Sequence, residues 1–134
     1  MILELRIALM ALVGALVMST HRTPTPPLCR ARSDLVGKCF TVHGALRYWN
    51  GGTPVRIWRI GTTRVLGVRG LDEVGLPSDS SACPLPAGLR DTLQAGKEVI
   101  ADLVVCPLTH DRPGSMQYVC VDAATNIRAK PYRF

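Results

Sequence analysis

Apolar and polar residues alternate most regularly between Cys39 and Val68, CFTVHGALRYWNGGTPVRIWRIGTTRVLGV, and the pattern predicts three antiparallel strands joined by two tight turns. In the first strand, Cys39–Trp49, one face carries Phe40, Val42, Leu46 and Tyr48, and the other carries Thr41, His43, Ala45, Arg47 and Trp49. Gly44 falls on the apolar face, where a glycine marks a bulge or the sharp bend that barrel strands need. Asn50-Gly51-Gly52 is a hairpin signal, because these residues tolerate positive φ. Val55–Ile60 follows as the second strand. Whether the loop is Asn50-Gly51 or Gly51-Gly52, Tyr48 and Leu46 share a face with Val55 and Ile57, and Arg47 and Trp49 share the opposite face with Arg56 and Trp58.

A second turn at Ile60–Arg64 leads to a third strand, Val65–Arg69. An unbroken second strand would turn Arg59 inward, so a bulge or an early strand end is expected there. Gly70–Ala82 reads as loop, with Gly75, Pro77 and a Ser/Asp cluster. Pro86–Ala95 suits a short helix: proline fits its first turn, Leu89 and Leu93 fall on one face, and Gly96 is placed to end it. Glu98–Leu108 is a fourth strand rich in Val and Ile. A turn at Asp111-Arg112-Pro113-Gly114 gives a fifth strand, Met116–Ala123, and centring that hairpin on Pro113 sets Cys106 opposite Cys120. The basic stretch from Asn126 to Phe134 lacks a clear period and reads as a loose tail.

The N-terminus has a different pattern. Arg6 precedes the apolar run Ile7–Met18, whose twelve residues suit the core of a signal peptide and fall short of the roughly 20 that span a bilayer as a helix. A cut between Ala15 and His21 is expected; the competing reading is a retained N-terminal anchor. No lipobox precedes Cys29. Thr20–Arg32, with Pro24, Pro26 and Pro27, reads as an extended leader. The organisation is then a signal peptide over 1–20, a Pro-rich leader over 21–38, a β domain over 39–124 and a basic tail over 125–134. Roughly 115 exported residues make one domain with a small core, without a membrane span after cleavage.

Three strands, a helix and a final hairpin are the element order of a mainly β fold: a small five-stranded OB-like antiparallel barrel with one short helix between strands 3 and 4. A small open sheet packed on one helix is the alternative. Cys39-Phe40-Thr41-Val42-His43-Gly44, Arg56-Ile57-Trp58, Gly61–Val68, Val105-Cys106-Pro107-Leu108 and Met116–Val121 together carry a resemblance. Over Lys38–Ala124 the chain resembles an uncharacterised family of small exported proteins of Gram-negative bacteria. That resemblance implies a compact periplasmic or secreted protein and supplies no activity, cofactor or catalytic residue.

Composition changes the picture in two places. Glu4 and Arg6 cancel, so the exported part keeps the whole net charge of +6, which favours anionic partners or serves solubility alone. Five cysteines in an exported chain point to disulfides, and one thiol is left over. No Cys-x-x-Cys and no i, i+4 His pair supports a metal site. Cys106–Cys120 is the preferred bridge, while Cys29, Cys39 and Cys83 compete for a second.

The candidate ligand site is the basic-aromatic face of Arg47, Trp49, Arg56, Trp58 and Arg64, where aromatics could stack on bases or sugar rings and arginines pair with anions. The plainer reading has Trp58 tucked under a helix or loop and the arginines as a solvated face. His110-Asp111-Arg112 reads as a turn, and His43 as a surface strand residue. Cys39 and His43 lie about 13 Å apart on a strand and form no nucleophilic pair. No catalytic constellation, phosphate loop or cofactor site is visible, so a non-catalytic envelope binding or accessory module is expected. A binder of anionic polymer, nucleic acid or acidic glycan, is the alternative.

Overall fold

The computed structural model describes residues 29–72, 76–93 and 97–131. The expected signal peptide, residues 21–28 of the leader, Gly75, Gly96 and the last three residues lie outside them. Strands β1 (Phe40–Tyr48), β2 (Val55–Arg59), β3 (Val65–Val68), β4 (Lys97–Pro107) and β5 (Gln117–Pro131) close into a barrel in the order β1-β2-β3-β5-β4. Helix α1 (Ala87–Thr92) lies between β3 and β4, and a 3-10 turn occupies Cys29–Ala31.

The β1–β2 register pairs Tyr48 with Val55, Leu46 with Ile57, Arg47 with Arg56 and Ala45 with Trp58. Its axis passes between Gly51 and Gly52, both at positive φ (72° and 60°), so the two glycines form the centre of the turn, which Trp49 N closes by donating to Pro54 O. The inward set is the alternating one. Val42, Leu46, Val55, Ile57, Leu66, Val68, Val99, Leu103, Val105 and Val119 are all buried inside the barrel. Leu71, Cys83, Leu85, Leu89 and Leu93 extend this core from the β3–β4 connection. The helix starts after Pro86 as expected but ends at Thr92, where Leu93 turns extended.

Gly44 is required by packing. It pairs with Ala101 on β4 and Arg59 on β2, and a Cβ there would come 2.6 Å from Ile57 Cγ2 and 3.3 Å from Leu103 Cδ1. Gly44→Ala is expected to lower stability by about 1–3 kcal/mol through overpacking, read from the midpoint of urea denaturation. At Arg59, the strand ends early: β2 stops there, and its guanidinium lies 5.7 Å from the Phe40 ring centroid.

Four expectations are corrected. The barrel is not antiparallel throughout, because β3 and β5 run parallel, with Leu66 beside Gln117 and Val68 beside Val119. Strand direction must alternate for every pair to be antiparallel, and five is odd, so a closed five-stranded ring forces one parallel pair. Second, residues 125–131 are no tail. β5 runs to Pro131, pairing Ile100 with Arg128 and Lys97 with Pro131. Two register shifts, at Ile100/Asp102 and Val104/Val105, hide this strand from a strict period of two. Third, the leader is not wholly separate, since Cys29 is buried and Val36 N donates to Pro107 O.

The fourth correction is the disulfide. Cys106 and Cys120 do stand opposite each other, but the bridges are Cys39–Cys106 and Cys29–Cys120. The β1–β4 register explains the first: Phe40 pairs with Val105, so Cys39 comes opposite Cys106, with Cα atoms 4.0 Å apart. The 3-10 turn brings Cys29 onto β5 at Cys120. Cys83 is the free thiol; it is fully buried, and burial pushes its pKa up. A thiol reagent should therefore label no cysteine in the native protein and one per chain after denaturation without reductant. Labelling of two or more would contradict this pairing.

Candidate outer-face site on strands β1 to β3

Because the inward positions of β1 are even-numbered, His43, Ala45 and Arg47 point outward, and the registers extend them into rows. Arg47 pairs with Arg56, which pairs with Gly67 on β3. Ile100, Ala45, Trp58 and Val65 make the next row, across four strands. His43 and Asp102 begin a third, which Ile60 joins by donating its backbone N–H to His43 O (3.0 Å). Arg128 adjoins the middle row through its pairing with Ile100.

Trp49 stands just past β1, with Arg47 Cζ 4.5 Å and Arg56 Cζ 5.1 Å from its ring centroid. Cation–π attraction of this kind holds two like charges side by side and restricts both side chains. Arg56 Nε also donates to Thr53 O at 3.1 Å. Trp58 is not tucked away. It is 44% exposed, and its indole is fixed by donating Nε1–H to Thr62 O at 2.7 Å. The acceptor is itself held by the turn, where Thr62 Oγ1 donates to Arg59 O and accepts from Arg64 N. The outer face therefore presents a fixed aromatic ring beside a stacked arginine pair.

Arg64 is not brought to this face. It lies in phase with inward-pointing Leu66 and Val68, not with outward-pointing Val65, and its guanidinium forms an ion pair with Asp111 and reaches Arg112 O. His110 and Arg112 line a separate shallow depression with Val36, Leu108 and Tyr118.

His43 carries a feature that sequence reading missed. Its Nδ1 lies 2.7 Å from Asp102 Oδ1, while Asn126 Nδ2 donates to Asp102 Oδ2 at 2.8 Å. The hydrogen bonds from Asn126 and His43 hold the Asp102 carboxyl below its usual range. An ionised carboxylate only accepts, so Nδ1 carries the proton and Nε2 is left for a ligand. Asn126 reaches Asp102 from a β-bulge and is the one described non-glycine residue at positive φ (52°). Finding this cluster from sequence would have required the β1–β4 register, since His43 and Asp102 are 59 positions apart.

Among the described residues no group of three or more His, Cys, Asp or Glu is gathered for a metal, and no helix is long and apolar enough to cross a membrane. Comparison with protein-family models, curated proteins and solved structures finds no match.

Proposed function

We propose that this chain is a small exported binding module of OB-like architecture, acting without catalysis through the outer face of β1, β2 and β3. The strand order, with a helix between β3 and β4, supports the OB-like assignment, and folds of that kind bind oligonucleotides and oligosaccharides across this face. Two disulfides fit an oxidising compartment outside the cytoplasm. The resemblance of the Cys39–Val121 motifs to small exported proteins of Gram-negative bacteria points to the periplasm or the exterior.

One observation carries the choice of ligand: Trp49 flanked by the guanidiniums of Arg47 and Arg56, next to an exposed Trp58 whose indole is fixed. Two adjacent cations and an aromatic face suit an anionic polymer better than a neutral protein surface.

Tryptophan fluorescence reports binding directly, because both tryptophans belong to the face. The mature domain is titrated with single-stranded DNA, a heparin-like glycan and anionic vesicles. Saturable quenching by a polymer is expected, weakening about tenfold between 50 and 200 mM salt if two or three arginines contact charge. Arg56→Glu and Trp58→Ala should each abolish it. A flat response to all three ligands would sink the anionic-polymer reading.

A further inference from the structure

We infer that His43, Asp102 and Asn126 form a hydroxyl-recognising subsite at the far end of this face, and that the ligand class is an acidic oligosaccharide. This rests on the outer face being the binding surface and narrows what it takes.

Three rows succeed one another on the outside of β1: Arg47 with Arg56, then Ala45 with Trp58 and Ile100, then His43 with Asp102. Successive rows are two residues apart, about 6.8 Å, so the arginines and the histidine stand about 13–14 Å from each other. A ligand following the strand meets cations, then a flat apolar strip, then a polar cluster. The strip consists of Trp58, 44% exposed and standing over buried Ala45, with half-buried Val65 and Ile100 to either side. The positive C–H edge of a sugar ring is attracted to the negative face of an indole.

The polar end decides the class. Asp102 already has both oxygens engaged, one by His43 and one by Asn126, which fixes the orientation of all three side chains. What they offer outward are His43 Nε2, on a ring about half exposed, and the Asn126 amide oxygen. The Asn126 amide also keeps a second N–H, so hydrogen-bond donors and acceptors stand together beside a carboxylate to which Arg128 lends a favourable charge. A hydroxyl, which both donates and accepts, satisfies such a set, whereas phosphate oxygens only accept and leave its acceptors unmatched. A DNA strand has no free hydroxyl along its backbone to present at this end. An oligosaccharide can set an acidic group against Arg56 and Arg47 and still present hydroxyls to His43 and Asn126.

The bulge supports the same assignment. Asn126 is held at φ 52°, a conformation costly for most side chains, and there its amide reaches across to Asp102 on β4. Glycine tolerates the same backbone, so Asn126→Gly removes the amide and leaves the chain path intact.

The test uses isothermal titration of the mature domain with oligogalacturonate, a neutral maltooligosaccharide and oligo-dT of matched length. The variants are His43→Gln, Asn126→Gly and Arg56→Glu, with thermal unfolding as the check on folding. Oligogalacturonate should bind, the neutral sugar should not, and His43→Gln and Asn126→Gly should each weaken binding about tenfold, the loss of one or two hydrogen bonds. Unchanged affinity in both variants with loss in Arg56→Glu would overturn the subsite and leave the face standing. Tighter binding of oligo-dT than of oligogalacturonate would overturn the saccharide assignment in favour of nucleic acid. If neither probe binds, the anionic-polymer reading of the face falls together with the subsite.

Discussion

Replacing Cys29 and Cys120 together by serine should cost about 3.5 kcal/mol of stability, the largest loss expected from any single feature of this fold. The bridge spans 91 residues, of which the Cys39–Cys106 bridge already ties off 67, so it closes a further loop of about 24 residues and removes that loop's entropy from the unfolded chain. It also fastens the 3-10 turn to the outside of β5, where Arg30 pairs with Asp122. That ion pair is weak support without the bridge, because Arg30 is 63% exposed while Asp122 is mostly covered and its Oδ1 has no partner. Urea denaturation of the double serine variant checks this. A lower midpoint with a similar slope is the expected result, and a midpoint within experimental error of the wild type would mean the bridge does not form.

Gly70→Ala should be nearly as damaging, at about 3 kcal/mol. Gly70 has φ +72°, where a side chain costs about 1–2 kcal/mol, and a Cβ there would come 2.7 Å from the Cα of Ala82. Backbone cannot rotate away as a side-chain tip can. Ala82 leads directly into buried Cys83, whose N–H donates to Arg69 O, and Gly70 O accepts from both the N–H and the hydroxyl of Ser78. The substitution therefore forces apart two segments that several hydrogen bonds hold together. Gly114→Ala is the matched control. Its φ is similar, +78°, but nothing lies within 4 Å of the added atom. Thermal unfolding should show a drop of about 15 °C for Gly70→Ala and about 5 °C for Gly114→Ala. Equal drops would mean that the backbone conformation alone, and not the close approach, sets the cost.

The strands around Gly51-Gly52 were legible because a turn centred on two glycines and a strict inward-outward alternation specify the same register. The helix was legible for a similar reason, with Pro86 before it and Leu89 and Leu93 both buried. The rest failed where the period breaks. Asp122 is an extra residue between the pairs Val105–Val121 and Val104–Ala123, and Asn126 and Ile127 face a single residue of β4, so the last third of β5 reads as a tail. The disulfides failed for a different reason. Cys106 has two cysteines directly opposite it, Cys120 on β5 and Cys39 at the entry to β1, and only the β1–β4 pairing reveals the second. The candidate site divides along the same line. Trp49, Arg47, Arg56 and Trp58 come from one hairpin whose register the turn sets. Arg64 depends on where β3 begins, and the His43–Asp102–Asn126 cluster depends on contacts between distant strands.

Amide chemical-shift mapping of the labelled mature domain separates the outer face from every other surface as the ligand site. Adding a heparin-derived or galacturonate oligosaccharide should move the signals of His43, Ala45, Arg47, Trp49, Arg56 and Trp58, including both indole N–H groups. Signals of α1 and of the turn around His110 should stay in place. Shifts concentrated at α1 or at the β4–β5 turn, with β1 and β2 silent, would place the ligand elsewhere and rule out the outer face.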